Sequence, residues 1–561
     1  MKKSHSLFGA LIMLFVLFLT SCSSRDSKMA NLLDRVPADV DIVAVGNLKT
    51  ILESAGGSIE NSKITLPAYI LDEFSSSDTN TLDEFNSFLK DSGIDPDACA
   101  IVGNYKDAQP VFVFSLTDKK KFTTAIEKEG FNEKSDNDGT VMYTKKVYES
   151  KSGEYDDFSY IAINGTYAYW IERVWVGSDF KAERAIDHLI TDASSAPYSK
   201  TSFAKYITSG NAAGASFKIP RELRQELEKS GISSSMADFY KGVVCMKGNL
   251  TNDDMTITFK WFDEDGKEKD FKAFGNMMDF KAKINPETLA YLGEDEALVC
   301  ATSFKDFDWD NYLKLMSESV NIPAAGRAAL YVVKSYLEKI DGTIAFGIGL
   351  TNGMESVSNL TMKRNPLSQI AYTLVIDTKK DAAQGLLNDV KGMMEATGMS
   401  FEKNAKGFTW EVPGTGMTIF AQAEGNRIIV SSHKIRKSND NVPAKSFDFD
   451  DYMAAAALSM NKDSKILRDL NIKNDIQLSI ATDAEEMEST LKLEVKGGGS
   501  EGVIAKTAKI LIGIAKQQQS FRANRGLQED LVEYGDIDSV VVEEVEIDTI
   551  AVEEAVADPV A

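Results

Sequence analysis

The sequence predicts an α+β fold of two similar lobes, each a mainly antiparallel sheet with a few packed helices. Three observations support this prediction. Strand-like segments are joined by short turns, with only a few helical segments between them, which favours antiparallel layers over an alternating parallel sheet. Four segments recur in the same order at an offset of about 230 to 260 residues. The chain of 561 residues is also longer than one hydrophobic core usually serves.

The clearest repeat is a strand followed by an acid, paired lysines and a helix. Residues 109–120 have this order, and residues 369–380 repeat it. The first helix is predicted from Lys119 to Glu129, and Gly398 stands where the second helix would be capped. The second helix has apolar residues at helical spacing, namely Ala383, Leu386, Leu387, Val390 and Met394.

Each half is then predicted to contain an antiparallel hairpin. In the first half the turn is Asn164-Gly165, a pair that favours positive φ. In the second half the turn is Glu424-Gly425-Asn426. Two further correspondences follow, residues 214–219 with 457–461 and residues 252–261 with 484–493. The shared order indicates an internal duplication, and chance similarity among β-rich segments is the competing explanation.

The first residues predict export and attachment to lipid. Lys2 and Lys3 precede an apolar stretch at residues 7–19, which is too short to span a membrane and is typical of a signal peptide. Residues 19–22, Leu-Thr-Ser-Cys, resemble a bacterial lipobox, so Cys22 is the predicted lipid attachment site. Acyl chains on Cys22 would hold the mature protein at a membrane. An ordinary secretory signal cut near Ser21 is the alternative.

These features give a predicted domain map. It consists of a lipoprotein signal peptide at 1–21, a tether at 22–30, a first repeat lobe at 31–275, a second repeat lobe at 276–519 and an acidic tail at 520–561. Residues 526–561 contain twelve Asp and Glu residues and no Lys or Arg, which predicts a disordered tail.

Composition excludes several classes of partner and cofactor. The net charge is −23, and no basic patch suited to phosphates is evident, so we expect no nucleic-acid partner. Cys99, Cys245 and Cys300 lie in apolar strand-like segments without a C-x-x-C pair, which predicts buried free thiols. No group of residues has metal-ligand spacing, and the sequence predicts no cofactor and no metal site.

One glycine-rich segment invites a catalytic interpretation. Residues 497–502 follow a predicted strand, precede a predicted helix and satisfy both G-x-S-x-G and G-x-G-x-x-G around Ser500. A hydrolase elbow needs a histidine after the serine, but His188 and His433 both precede it. A dinucleotide loop belongs at the start of a βαβ unit, whereas this helix leads into the tail. We therefore predict a flexible turn, structural roles for both histidines and no catalytic residue.

The overall layout resembles a known group of proteins. The lipobox, the length, Pro37-Ala38-Asp39 before a strand, and the duplicated body are similar to the domain-of-unknown-function lipoproteins of Bacteroides-type bacteria, over nearly the whole mature chain. The resemblance to that family implies no activity. Surface-exposed lipoproteins of such bacteria carry acids directly after the cysteine, and residues 23–28 depart from this pattern. The resemblance therefore implies the periplasmic face of the outer membrane, with the cell surface as the alternative.

The same resemblance bears on modification of the tail. Asp538-Ser539-Val540 and Asp548-Thr549-Ile550 are similar to the O-glycosylation sites of exported proteins in these bacteria, which makes Ser539 and Thr549 candidate sites. The leading hypothesis is a non-enzymatic envelope protein that binds or scaffolds, with the membrane, other envelope proteins or glycans as partners. The alternative is a periplasmic hydrolase with a site assembled from distant residues. A shallow apolar groove would favour the binding protein.

Overall fold

The computed structural model of the chain describes most of the body. The described residues are 27–60, 63–67, 86–88, 90–103, 109–137, 139–148, 157–175, 181–229, 241–269, 282–319, 332–350, 370–404, 406–464, 467–468, 471–483, 488–499 and 501–514. The chain divides into two compact units, Met1–Ile510 and Leu511–Ala561, and the fold described below is that of the first. The predicted disordered tail lies outside the described residues. No helix among the described residues has the length and apolar character needed to cross a membrane.

The strands fall into two groups along the chain, which we call the first and second halves. The first half contains β1 (Ile42–Asn47), β2 (Ser58–Glu60), β3 (Lys63–Thr65), β4 (Ile94–Gly103), β5 (Val111–Leu116), β6 (Asn132–Asn137), β7 (Thr140–Tyr148), β8 (Asp157–Asn164), β9 (Tyr167–Trp175), β10 (Ala213–Lys218), β11 (Val243–Leu250) and β12 (Asp254–Phe262). The second half contains β13 (Leu298–Ser303), β14 (Ile340–Leu350), β15 (Ile370–Thr378), β16 (Glu402–Asn404), β17 (Gly407–Val412), β18 (Met417–Glu424), β19 (Arg427–Ser431), β20 (Ala454–Met460), β21 (Asp475–Asp483) and β22 (Glu488–Lys496).

Helices are fewer than strands among the described residues. They are α1 (Ser27–Leu33), α2 (Leu48–Ser54), α3 (Lys119–Lys128), α4 (Ala182–Ser195), α5 (Ser202–Ile207), α6 (Arg221–Lys229), α7 (Pro286–Leu289), α8 (Trp309–Ser319), α9 (Ala383–Ala396) and α10 (Val442–Ser446). Residues 503–510 are also helical. Local sequence explains several of their ends. Asp118 accepts a hydrogen bond from the Lys121 backbone N–H and so caps α3, while Gly398 after α9 has φ of 85°.

Twenty of the described strands form one antiparallel sheet, and β2 with β3 forms a separate hairpin. From one edge to the other the strand order is β6-β7-β8-β9-β5-β4-β1-β10-β11-β12-β22-β21-β20-β13-β14-β15-β19-β18-β17-β16. The predicted α+β class with a mainly antiparallel sheet is confirmed. Both predicted hairpins are also confirmed, with Gly165 at φ 59° and Gly425 at φ 60° in their turns.

The strand pairing on either side of the β12–β22 contact follows the same plan. In the first half β1 pairs with β4 and β10, and in the second half β13 pairs with β14 and β20. The edges also match, since the β6-β7-β8-β9-β5 order is repeated by β16-β17-β18-β19-β15. The two halves are joined edge to edge within a single sheet.

Two hydrophobic clusters lie against one face of this sheet, which we call the core face. In the first half α1, α4 and α5 pack onto it, and Met29, Leu33 and Ile186 are each fully buried there. In the second half the cluster includes Val299 and Val375 from the sheet, together with residues from α7 and the loops near it. Burial of this apolar surface is the main favourable term in folding the body.

Candidate functional site

Alternate residues of the central strands in the second half point to different faces of the sheet. In β13, Val299 and Ala301 lie on the core face and are buried, whereas Leu298 and Cys300 between them are only partly buried. β20 and β21 show the same alternation. Side chains on a strand alternate between faces, so the partly buried residues define the opposite face of the sheet.

Two neighbouring rungs of the opposite face are apolar across five adjacent strands, β14, β13, β20, β21 and β22. Residues in register on antiparallel strands share a face, so each rung is a continuous row of side chains. We call these two rungs the apolar strip. The first rung is Phe346, Cys300, Ala456, Ile480 and Leu491, and the second is Ile348, Leu298, Leu458, Leu478 and Leu493.

The strip contains the most exposed large apolar side chains of the described sheet. Phe346 is 37% exposed, Leu478 is 40% exposed and Ile480 is 50% exposed. Single exposed apolar residues are common on protein surfaces, but contiguous ones mark sites of interaction. Leu478 and Ile480 are neighbours on one face of β21, and Phe346 lies on the same rung as Ile480. Leu478 and Ile480 thus form one exposed patch, and Phe346 lies three strands away along the same rung, beyond the partly buried Cys300 and Ala456.

Helices cover the opposite face on either side of the strip. At one end Leu386 and Leu387 of α9 pack with Ile376 of β15. At the other end Val503 packs with Val495 of β22. The strip lies between these two packed regions, and its Leu493 on β22 packs against the second of them.

A third rung borders the strip and carries hydroxyl groups. It runs through Ile344, Thr302, Ala454, Thr482 and Ser489. Thr482 Oγ1 and Ser489 Oγ lie 3.1 Å apart. The face therefore changes from apolar to polar across neighbouring rungs, which suits a molecule with both kinds of surface.

The three cysteines of the body are free thiols, and one of them lies on the strip. Cys99 and Cys245 are buried as predicted, but Cys300 is only partly buried. Burial raises the pKa of all three thiols. The partial exposure of Cys300 follows from its place on the opposite face of β13.

His188 lies on α4 between two carboxylates. Its Nδ1 contacts Asp192 one turn later, and its Nε2 lies 3.8 Å from Oδ2 of Asp39. One ligand atom from each residue falls within 4.8 Å of the others, so the trio could hold a cation. The two ring nitrogens face different carboxylates, however, and a single ion could bind only one of them.

His433 follows β19 and lies beside a serine. Its Nδ1 is 3.0 Å from Oγ of Ser431. Ser431 is fully buried and Glu296, 3.9 Å from the ring, is fully buried as well. A buried hydroxyl cannot reach a substrate, so this pair does not form the nucleophilic site that a hydrolase needs.

The remaining sequence candidates lie outside the described residues. These are the lipid attachment site Cys22, the glycine-loop residue Ser500 and the tail residues Ser539 and Thr549. The strand and helix predicted around the glycine loop are present, as β22 and residues 503–510. The glycines between them have positive φ at Gly497, Gly498 and Gly499, which fits the predicted turn.

Sequence analysis missed the apolar strip, although a signal for it exists. Outward positions of a strand with one solvated face are normally polar. In residues 298–301 and 454–458 apolar residues occupy both inward and outward positions. Continuous apolar strands of this kind normally predict cover on both faces.

Comparison with known proteins identifies no family for this chain. No protein-family model matches the chain, and no curated protein matches it. Among solved structures, TP0453 in crystal form I aligns at 10% identity and a TM-score of 0.17, covering 71% of this chain and 91% of that one. Crystal form III of TP0453 aligns at 11% identity and a TM-score of 0.18, covering 74% of this chain and 96% of that one. Likeness at this level has no bearing on fold or function.

Proposed function

We propose that the protein is an exported, lipid-anchored envelope protein that binds an amphipathic, lipid-class ligand on the apolar strip and catalyses no reaction. The observation that carries this proposal is the pair of apolar rungs with exposed Phe346, Leu478 and Ile480. A shallow apolar surface favours a binding protein over the alternative hydrolase. The apolar side chains of the strip suit acyl chains, whose transfer out of water is favourable.

The dimensions of the strip support a chain-like ligand. Neighbouring strands lie about 4.8 Å apart, so five strands give a strip about 19 Å long. The hydroxyl rung that includes Thr302, Thr482 and Ser489 runs along one side of it. An acyl chain on the apolar rungs would place a polar head group against these hydroxyls.

The predicted anchor would keep the strip near its source of ligand. Helix α1 begins at Ser27, only five residues after Cys22, and its Met29 is fully buried in the core. An extended chain covers at most about 3.6 Å per residue, so these five steps span at most about 18 Å. A protein acylated at Cys22 would therefore have its folded body beside the bilayer, which we propose is the outer membrane, on its periplasmic side.

We further propose that the two halves arose by internal duplication and that only the second half retained the binding face. Matching strand order in both halves supports this. Among the positions of the first half that correspond to the strip, Ala44, Ala213 and Ala215 on β1 and β10 are small and buried. On β11 and β12 the corresponding Met246 and Phe259 are large and partly buried. A Cβ on Gly46 would lie 3.8 Å from Cδ1 of Ile51 in α2, so a helix covers this face in the first half.

Binding is tested by titrating a dansyl-labelled fatty acid into the Cys22→Ala chain. We expect saturable binding, weakened at least about tenfold by Ile480→Lys, since a charge there removes apolar contact. Val390→Lys on α9 is the matched control, because Val390 is 40% exposed and lies off the strip. Equal affinity in both variants would contradict the proposal. So would a chain that does not bind the probe and instead dimerises through residue 480.

The anchor is tested separately by metabolic labelling with palmitate. The wild-type chain should incorporate label and sediment with membranes, and Cys22→Ala should do neither. Identical fractionation of the two chains would contradict the anchor but leave ligand binding untouched.

A further inference from the structure

A cavity of about 480 Å³ lies in the second half, apart from the apolar strip. Its walls come from the loop after α7, the start of β15, strand β18 and the segment that follows β19. Apolar walls are provided by Leu292, Ile370, Ala371, Met417 and Phe420. This volume is within the range of small-molecule sites, and the wall combines apolar with polar surface.

His433 is held at this cavity by a row of buried hydroxyl groups. Thr373 Oγ1 donates to Oε1 of Glu296 at 2.6 Å and lies 3.0 Å from Oγ of Ser431. Ser431 Oγ donates to the Tyr372 carbonyl at 3.2 Å. With the Ser431 proton placed on that carbonyl, His433 Nδ1 is the donor in its 3.0 Å contact with Ser431 Oγ.

This hydrogen bonding leaves Nε2 of His433 as an acceptor. The imidazole side chain is 36% exposed and lines the cavity. The ring also packs over Gly293, because a Cβ there would lie 2.6 Å from its Cε1. Burial lowers the pKa of His433, while the nearby Asp295 opposes this, and the neutral ring is favoured at neutral pH.

Charged groups of both signs line the same cavity. Arg436 provides a guanidinium, whose positive charge also acts on Asp440 and His433. Glu294 and Asp295 provide carboxylates. A guanidinium recognises carboxylate groups, and carboxylates together with a neutral imidazole nitrogen accept hydrogen bonds from an ammonium group.

We propose that this cavity binds a small zwitterion with an apolar side chain, in the class of free amino acids and dipeptides. Arg436 holds the carboxylate. His433 Nε2, with Glu294 or Asp295, receives the ammonium group, and the side chain packs against Leu292, Met417 and Phe420. The site is independent of the apolar strip.

Calorimetric titration of the Cys22→Ala chain tests this with three related probes and, as a second zwitterion, the dipeptide L-leucyl-L-phenylalanine. L-Phenylalanine carries both charges, 3-phenylpropionate lacks the ammonium group, and 2-phenylethylamine lacks the carboxylate. We expect L-phenylalanine or L-leucyl-L-phenylalanine to bind at least tenfold more tightly than either truncated probe. If neither zwitterion binds, or if all three probes bind equally, the proposal is overturned.

Two substitutions separate the roles of the charged groups. Arg436→Gln should weaken L-phenylalanine at least tenfold and leave 2-phenylethylamine unchanged. Gly293→Ala, which displaces the His433 ring, should weaken both probes that carry an ammonium group. Ile480→Lys on the strip is the control and should leave L-phenylalanine binding unchanged, so failure here is distinct from failure of the lipid site. Unchanged affinity in Arg436→Gln, with an unchanged melting curve, would overturn the proposal.

Discussion

Ile257 of β12 lies directly opposite Leu491 of β22, in the antiparallel pair through which the sheet passes from the first half to the second. Seven residue pairs form this contact. Lys260 of β12 is buried and lies 3.9 Å from Glu488 of β22. The halves therefore share backbone hydrogen bonds, and the side chains of the apolar strip continue to this junction at Leu491.

The junction predicts that residues 27–510 unfold as one cooperative unit. β22 lies between β12 and β21, so a proline in it removes a ladder hydrogen bond and should destabilise the body. Calorimetry should find one main transition in the wild-type chain, shifted to lower temperature as a whole by Thr490→Pro. Thr490→Val keeps the backbone and should stay close to wild type. A first-half transition that is unmoved by Thr490→Pro would refute a shared cooperative unit.

Asp118 and Asp377 occupy the same position of the repeated segment but have different surroundings in the two halves. Removing each side chain should therefore lower the free energy of unfolding by a different amount. Asp118 is an exposed helix cap, and Asp118→Ala should cost about 1 kcal/mol. Asp377 accepts hydrogen bonds from Thr288 and the Thr343 N–H and pairs with Arg427 at 2.9 Å.

Asp377→Ala would leave a guanidinium that is 18% exposed, with a 3.4 Å contact to Glu287 and a hydrogen bond to Tyr291, at a cost of about 3 kcal/mol. Urea unfolding of the Asp118→Ala and Asp377→Ala variants measures the difference. Asp377→Asn keeps an oxygen acceptor, so its loss of unfolding free energy should lie between those of Asp118→Ala and Asp377→Ala. Equal losses at the two positions would show that the Asp377 network contributes nothing beyond a cap.

Glu296 predicts a pH-dependent contribution to stability. Burial raises its pKa, while hydrogen bonds from Thr373 and the Gly293 N–H oppose the rise. A folded pKa above the unfolded value of about 4.3 means that the folded chain binds the proton more tightly. The stabilisation from this group is thus present below about pH 4.3 and is lost as pH rises through the folded pKa.

Comparison with Glu296→Gln isolates that contribution, because the surrounding charged groups, Asp295, His433 and Arg436, are common to both chains. The free energy of unfolding of wild type relative to Glu296→Gln should fall as pH rises from 4.5 to 7.5. Urea titrations at several pH values measure it. A difference that stays constant or grows with pH would argue against a buried, proton-binding carboxyl group.

Local features of the fold were predictable because they depend on a few adjacent residues. The Asn164-Gly165 turn needs positive φ, and Gly165 adopts it. The helix predicted from Ala383 is α9, with its first turns buried at Leu386 and Leu387. The predicted apolar stripe holds only in part, since Val390 in the same stripe is 40% exposed. The spacing of apolar residues identifies which face of a helix packs against the body. It does not show how far along the helix that packing extends.

Features that depend on distant residues were not predictable from spacing. Nothing near Ile257 or Leu491 indicates that their strands pair, because the pairing joins segments more than two hundred residues apart. An apolar residue such as Ile480 is expected to be buried. It is half exposed because no described element packs over it, which its own sequence does not show. The cavity at His433 likewise assembles from four separate segments.

Binding of an acyl chain on the apolar strip can be measured at an atom of the strip itself. Cys300 is partly buried on the first rung, and Cys99 and Cys245 are buried elsewhere. In the Cys22→Ala chain, N-ethylmaleimide should modify Cys300 faster than the other two thiols. Palmitate at ten times its Kd should slow modification of Cys300 by about tenfold through occupancy.

Modification of Cys99 and Cys245 reports any general stabilisation, because both react only after unfolding. We expect protection that is strong at Cys300 and lost when Ile480→Lys is introduced. A Cys300 modification rate that does not change at saturating palmitate, or that falls only in step with Cys99 and Cys245, would contradict acyl-chain binding on the strip.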